Sequence, residues 1–169
     1  LIKAQVVNRV YATTASGLPL KSLINEKKFK LLMSDVGLYC ASMNLSKAIV
    51  LSDNLIVVNK GTLTEQAVGQ ELIANSTAYK PYQLTYWSRD RKASRSEIDY
   101  VIQHETDIVP IEVKSGSTGR LKSLHIFMKE KNSKVGIKIS QAPLSFENNI
   151  LSLPIYLVSQ LENILIDLG

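Results

Sequence analysis

Hydrophobic and polar positions divide the chain into an opening of short strands and a longer region of mixed strands and helices. In the opening, AQVVNRVYATT alternates as a strand, SGLPL favours a turn, and KFKLLMSDVGLY gives a second strand that ends at Ser34–Asp35. Two strands without a covering helix bury little surface. We therefore predict a small strand-containing appendage, with its boundary in the polar-punctuated stretch from Met43 to Asn54.

After residue 54 the spacing of apolar and polar residues predicts individual helices and strands more clearly. TLTEQAVGQELIANSTAY has apolar residues at helical spacing, and YQLTYW, EIDYVIQ and IVPIEVKS have the composition or alternation of strands. SRDRKASRS, between the first two strands, reads as a polar, basic loop. GRLKSLHIFMKEKN predicts a second helix, VGIKIS a strand, and the last stretch a strand to about Pro154 followed by a helix. The prediction is an α/β fold whose central mixed sheet is flanked by helices.

Composition places the chain among ordinary globular domains. Its 169 residues are 45% hydrophobic and 21% charged, enough for one well-filled core. No apolar run is long enough to cross a bilayer, the opening lacks a signal peptide, and the single Cys40 suits a reducing cytoplasm. The start at Leu1 suggests a fragment of a longer protein, although a processed or tag-trimmed protein would begin in the same way. A net charge of +5 fits a polyanionic partner, although a slightly basic solvated surface fits equally well.

Two of the predicted strands carry acidic residues opposite their apolar faces. Residues two apart in a strand share a face. IVPIEVKS therefore places Glu112 and Lys114 together, and EIDYVIQ places Ile98 with Tyr100 and leaves Asp99 opposite them. If these strands pair, Asp99 lies beside Glu112.

A third carboxylate belongs to the first helix of the longer region. Glu65 lies on the same apolar stripe as Val68 and Leu72, where an unpaired charge is costly. A lysine, an arginine or a metal ion should therefore meet it. Gly69, one turn along, would let this helix approach a sheet closely.

Three converging carboxylates repel one another unless a hard cation compensates, and oxygen ligands suit Mg²⁺ or Mn²⁺. An ion held by Glu65, Asp99 and Glu112 would bind a phosphate oxygen and lower the pKa of its bound water. Lys114 would orient or activate the attacking water, or offset charge in the transition state. These residues predict a metal-dependent phosphodiesterase site. A buried glutamate–lysine network with a structural role is the alternative, and an isolated E-x-K is most often a surface ion pair.

This arrangement resembles the PD-(D/E)XK nuclease superfamily. The resemblance implies a restriction-endonuclease-like core in the order α-β-β-β-α-β. It also implies that Asp99 and Glu112 bind the metal, that Lys114 assists catalysis and that Glu65 comes from the first helix. Ile98-Asp99 stands where the superfamily has Pro-Asp.

A wider resemblance covers residues 28 to 157. KFKLLMSDVGLY, GTLTEQAVGQEL, YWSRDRKASRSEIDYVI and IVPIEVKSG are similar to the C-terminal module of a prokaryotic family of predicted AAA-type ATPases. In that family an ATPase domain and a winged-helix region precede the module. The resemblance implies that residues 1–54 are a remnant of, or linker from, the winged-helix region, and that 55–169 form the nuclease-like domain. The chain lacks G-x-x-x-x-G-K-[ST], so we expect no ATP site in it.

Basic residues near Asp99 have two interpretations. The loop residues could follow a phosphate backbone or form a solvated hairpin tip. Trp87 could stack on bases, but a core position is favoured. Lys27, Lys28 and Lys30 could extend a basic face, although a solvated strand edge is the favoured interpretation. The candidate nucleic-acid contacts are Arg89, Arg91, Lys92 and Arg95.

Two classes of function follow. In the first, the chain is a metal-dependent endonuclease-like domain that cuts nucleic acid, with DNA favoured over RNA, and is gated by the upstream ATPase domain. In the second, it is a catalytically inactive module on the same fold that binds nucleic acid or protein. A further hypothesis is that an exposed apolar last helix (Tyr156 to Leu168) docks a partner, which predicts homo-oligomers.

Overall fold

One mixed β-sheet runs through the part of the chain that the computed structural model describes, namely residues 1–45, 57–76, 83–91, 94–117 and 119–168. At residues 57–59, 90, 91, 94 and 95 the description is limited to the backbone. The strands in these ranges are β1 (Val7–Thr13), β2 (Ile24–Met33), β3 (Thr85–Arg91), β4 (Ser94–His104), β5 (Asp107–Val113), β6 (Gly136–Ser140), β7 (Ser145–Glu147) and β8 (Ile150–Pro154).

Helices flank this sheet. The predicted helix after Gly61 is present and begins earlier, at Val57, and the helix predicted around Leu124 is also present. Among the described residues no helix is both long and apolar enough to cross a membrane. The α-helices are α1 (Val36–Ser42), α2 (Val57–Ala74), α3 (Lys122–Lys131) and α4 (Leu161–Leu168), and two 3₁₀-helices span Leu20–Leu23 and Ile155–Gln160.

The described strands lie in the order β2-β1-β3-β4-β5-β6-β8-β7. Pairing is parallel for β1 with β3, β5 with β6, and β6 with β8, and antiparallel for the other neighbours. The prediction of a mixed α/β fold with a helix-flanked sheet is therefore confirmed. Strand β7 was not predicted, because all of its residues are exposed and it has no hydrophobic alternation.

The first two strands extend this sheet rather than standing apart as an appendage. They form an antiparallel pair, and β1 continues the sheet by pairing in parallel with β3. Val7, Val10 and Leu32 are buried at 4%, 2% and 1% exposure. The expectation that two strands bury little fails because β3 and α2 cover them. The predicted boundary after residue 54 lies outside the described residues.

Two hydrophobic cores line the sheet. The first contains residues of α2 and α4, including Val68 and Leu165, and the second contains Leu124 and Phe127 of α3. Trp87 belongs to the second core, where its ring meets the Phe127 ring edge-on at 5.2 Å between centroids. The interpretation of Trp87 as a core residue is confirmed.

A β-bulge in β4 changes the faces that alternation predicted. Thr85 pairs with Val101 and Trp87 with Ile98, so β4 carries one more residue than β3 over this interval. As a result Ile98 lies in the second core and Tyr100 in the first, although the sequence predicted one shared face. A bulge re-aims side chains, and this one lies at Asp99 and Tyr100.

The basic stretch after Trp87 is largely strand rather than loop. Strand β3 runs to Arg91 and β4 starts at Ser94, with Ser88 opposite Glu97 and Arg89 opposite Ser96. Backbone pairing across the hairpin provides hydrogen bonds that a polar composition alone does not predict.

Candidate functional site

Strands β4 and β5 separate at one point, and Asp99 lies there. Their pairing runs from His104–Asp107 to Tyr100–Ile111, after which β4 continues beside β3 and β5 continues beside β6. The Asp99 side chain spans the resulting fork, because its Oδ2 accepts a hydrogen bond of 2.7 Å from the backbone N–H of Val113. Here a carboxylate replaces the strand partner that the amide has lost.

Burial and neighbouring charge make Asp99 an unusual acid. Burial, together with the carboxylates of Glu65 and Glu112, raises its pKa to about 8. The hydrogen bond from Val113 and the charge of Lys30 act in the opposite direction. The carboxyl group therefore holds its proton near neutral pH unless a further cation approaches.

Glu112 and Lys114 form the second part of the cluster. Lys114 Nζ donates to Glu112 Oε1 at 2.6 Å, and the Glu112 side chain is only 9% exposed. Burial raises the Glu112 pKa, while Lys114 opposes that shift. The second oxygen, Oε2, is buried without a hydrogen-bond partner in the described part of the chain. A buried acceptor without a donor is costly, so this oxygen is suited to a cation or a donor from a ligand.

Helix α2 brings Glu65 to the same region through a close approach to β4. The Tyr100 hydroxyl donates to the backbone carbonyl of Glu65 at 2.8 Å. Gly69 makes this approach feasible, because a Cβ at that position would lie 2.3 Å from Tyr100 Oη. Burial raises the Glu65 pKa and Glu112 adds to the shift, whereas Lys30 and Lys114 oppose it. The predicted close approach at Gly69 is present.

The predicted carboxylates therefore influence one another electrostatically. Asp99 responds to both Glu65 and Glu112, and Glu65 responds to Glu112 and Lys114. Within the described ranges, however, no three His, Cys, Asp or Glu side chains are arranged as a group that could hold a metal ion. The metal-ligand roles of these carboxylates stay a prediction.

Lys30 is a neighbour of the cluster that sequence reasoning set aside. Its ammonium pairs with the Glu97 carboxylate and lies 4.8 Å from the centroid of the Tyr86 ring. Burial disfavours its charged form, but Glu97, Asp99 and Glu65 outweigh this and raise the Lys30 pKa. Its side chain is 34% exposed, so it is not simply part of a solvated strand edge.

The pattern of β2 concealed Lys30. Phe29 and Leu31 are 40% and 54% exposed, so the apolar residues of this segment are more exposed than the lysine between them. An amphipathic strand normally has the reverse arrangement. Pairing with Glu97, which is distant in sequence, gave no local signal that could have identified the lysine.

The four candidate nucleic-acid contacts are described unequally. Arg89 is 21% exposed and its Nη1 lies 3.1 Å from Glu130 Oε1 in α3. Arg91 and Arg95 lie on β3 and β4, with their backbones alone described, and Lys92 lies outside the described residues. Their contact with nucleic acid stays a prediction.

The end of the chain has the exposed apolar residues that the oligomer hypothesis expected. Tyr156 is 80% exposed and Ile166 is 61% exposed, whereas Leu161 and Leu165 are buried against the first core. Assembly through this surface stays a prediction.

A comparison with known protein families identifies the family of the chain. Residues 60–158 match the family described as Domain of unknown function, DUF4143. The chain belongs to this family. DUF4143 is found in proteins associated with AAA-type ATPases, in agreement with the ATPase-linked module expected above.

No curated protein and no solved structure matches the chain. The DUF4143 segment contains Glu65, Asp99, Glu112 and Lys114, whereas Lys30 comes from β2, outside it.

Proposed function

We propose that this DUF4143 chain is a nuclease-like domain of the PD-(D/E)XK type that hydrolyses phosphodiester bonds of DNA with Mg²⁺ or Mn²⁺. The observation that carries the proposal is the buried, unpartnered Glu112 Oε2 within a cluster that also contains Asp99 and Lys114. The order of elements from α2 to β6, which is helix, three strands, helix and strand, supports a restriction-endonuclease-like core.

The chemistry of the donor set fits a hard divalent cation. Asp99 and Glu112 supply carboxylate oxygens, and the protein hydrogen bond to Asp99 uses Oδ2. Because the Asp99 pKa is raised to about 8, a bound cation would replace the proton of this carboxyl group. Glu65, which is electrostatically coupled to Glu112, would be the third carboxylate ligand. Such an ion, when bound, would polarise a phosphate oxygen and acidify a water molecule.

The chain's own residues have separate roles in this proposal. Val113 orients the Asp99 carboxyl group through its backbone N–H. Glu112 fixes the Lys114 ammonium, and the backbone N–H of Lys114 donates to Ile139 O at 2.8 Å, which anchors the end of β5. Lys114 is therefore held where it can orient a water molecule or offset negative charge at phosphorus.

A catalytically inactive nucleic-acid-binding or protein-interaction module is the second candidate. It is favoured by the ion pairs of Lys114 with Glu112 and of Lys30 with Glu97, which already balance part of the cluster's charge. The lack of a three-residue metal group among the described side chains favours it too. Both candidates place the protein in the cytoplasm beside an ATPase domain.

A cleavage assay separates the two candidates. The chain is incubated with single-stranded, duplex and supercoiled DNA, and with RNA, in Mg²⁺, in Mn²⁺ and in EDTA. We expect nicking of DNA that requires the divalent ion and falls at least about 100-fold in Glu112→Gln and Lys114→Met, as for loss of a transition-state contact. Glu147→Gln, at an exposed carboxylate on β7, is the matched control and should keep wild-type activity. No cleavage of any substrate with either ion would leave the binding module as the function.

A further inference from the structure

Two lysine side chains of β2 reach past the neighbouring strand β1 and contact residues of β3 and β4. Between β1 and β2, the pairing steps from Tyr11–Phe29 directly to Ala12–Asn25. The intervening residues of β2 therefore form a bulge that ends at Lys28. From this bulge, Lys28 Nζ donates to Ser88 Oγ of β3 at 2.9 Å, although β1 lies between the two strands in the sheet order.

Lys30 continues the same path towards the carboxylate cluster. Ser88 is directly opposite Glu97 in the β3–β4 pairing, and Glu97 is the partner of Lys30. Lys28 thus contacts β3 and Lys30 contacts β4, at two residues that are directly opposite each other. Beyond Lys30 lies Asp99, whose carboxyl group is within electrostatic reach of the Lys30 ammonium.

A groove opens at the other end of this path. It has a volume of about 420 Å³, and its walls include Lys28, Ser88, Arg89 and Lys131. Three of these side chains are cationic, and Glu130 is the acidic residue in the lining. We define this depression as the edge groove.

We propose that the edge groove, Lys28 and Lys30 form a binding track for a phosphodiester backbone, which it guides to the carboxylate cluster. The identity of the ligand as a nucleic-acid backbone rests on the proposed function, because a site that hydrolyses phosphodiesters needs a way to hold the flanking phosphates. Separate cations along a line match a backbone with one charge per nucleotide. Lys28 and Lys30 lie outside the DUF4143 match, whereas Arg89 and Lys131 lie within it, so strand β2 would add substrate contacts to the family segment.

Binding measured without cleavage tests the track. Affinity for a fluorescent single-stranded DNA oligonucleotide is measured in EDTA over a series of salt concentrations. Each neutralised phosphate contact contributes about 0.7 to the slope of log affinity against log salt for a single strand. We expect Lys28→Met and Lys30→Met each to reduce the slope by about that amount. Lys129→Met, an exposed lysine on α3 outside the groove lining, should leave it unchanged.

Glu97 provides a test with the opposite sign. Since Glu97 pairs with Lys30, Glu97→Gln should free the ammonium for phosphate and strengthen DNA binding several-fold. Lys30→Arg retains the charge and should bind like the wild type. This comparison separates a lost contact from misfolding in Lys30→Met, and circular dichroism verifies the fold of each variant.

The outcomes distinguish this track from the proposed cleavage. Slopes that are equal in the wild type, Lys28→Met and Lys30→Met would overturn the track, and so would a wild-type chain that does not bind the oligonucleotide at low salt. If the slopes fall as expected while no substrate is cleaved in Mg²⁺ or Mn²⁺, the track stands and the nuclease activity fails. If DNA is cleaved while the slopes of Lys28→Met and Lys30→Met equal that of the wild type, the nuclease activity stands and the track fails.

Discussion

At the scale of single residues, the protonation of Asp99 makes folding depend on pH. Its pKa is about 8 in the folded chain and has an ordinary value near 4 when unfolded, so between these values the folded state holds the extra proton. The contribution of this bound proton to the free energy of unfolding is fully present below pH 4 and is lost as the pH rises towards 8. We expect the metal-free chain to unfold at lower urea concentrations at pH 8 than at pH 5.

Asp99→Asn checks the assignment of this pH dependence. The amide oxygen can still accept from Val113, while the charge that burial opposes is gone. We expect the variant to have a flatter profile of unfolding free energy against pH. At pH 8 its free energy of unfolding should be higher by roughly 1–4 kcal/mol, the range found when buried ion pairs are replaced by uncharged residues of similar volume. A profile as steep as that of the wild type would assign the effect to Glu65 and Glu112.

Gly69 and Tyr100 form a second residue-scale test. In Gly69→Ala the new methyl group would collide with the Tyr100 hydroxyl, at a cost of about 1–3 kcal/mol. Tyr100→Phe removes the hydrogen bond to Glu65 O, at a cost of about 1 kcal/mol. Because Phe also removes the colliding oxygen, the double variant should lose less than the sum of the single variants in urea unfolding. Strict additivity would mean that the two residues do not share this contact.

At the scale of elements, α3 ends on a residue with unusual backbone geometry. Asn132 has φ 53° and ψ 37°, and its N–H donates to Met128 O. Asparagine and glycine tolerate this left-handed conformation, whereas a β-branched residue does not. Asn132→Gly should be close to neutral in thermal unfolding, and Asn132→Val should lose about 1–2 kcal/mol. Equal melting temperatures for the two variants would contradict this account.

Elements with strong local periodicity were predictable. Alternation in β5 identified a strand with Glu112 and Lys114 at its end, and the apolar stripe of α2 identified Glu65 as an acid that needs a cation. These features depend on residues close in sequence, so the periods of strand and helix revealed them.

Features that depend on distant partners were not predictable. The bulge at Asp99 arises from the register between β3 and β4, and no local pattern in EIDYVIQ marks it. The position of Lys30 depends on Glu97, and the exposed neighbours Phe29 and Leu31 give a misleading signal. The sequence therefore identified the acids and Lys114, but it did not place Lys30 beside them.

At the scale of the whole molecule, the family segment and the folding unit differ. The DUF4143 match starts at residue 60, while Val7, Val10 and Leu32 are buried in strands before it. Burying such side chains contributes about 1.5–3 kcal/mol each, and a whole domain is stable by only about 5–15 kcal/mol. We expect a chain of residues 57–169 to lose cooperative urea unfolding. Removing residues 1–3, which are exposed, should leave it intact.

The fork between β4 and β5 gives the molecule a natural spectroscopic reporter. The Val113 amide donates to a titratable side chain rather than to a neighbouring strand. Its proton chemical shift and its exchange with solvent therefore follow the charge on Asp99, even though Val113 itself is an apolar residue with no chemistry. In a nuclear magnetic resonance spectrum, this one backbone signal would register the arrival of a proton, a cation or a ligand at the cluster.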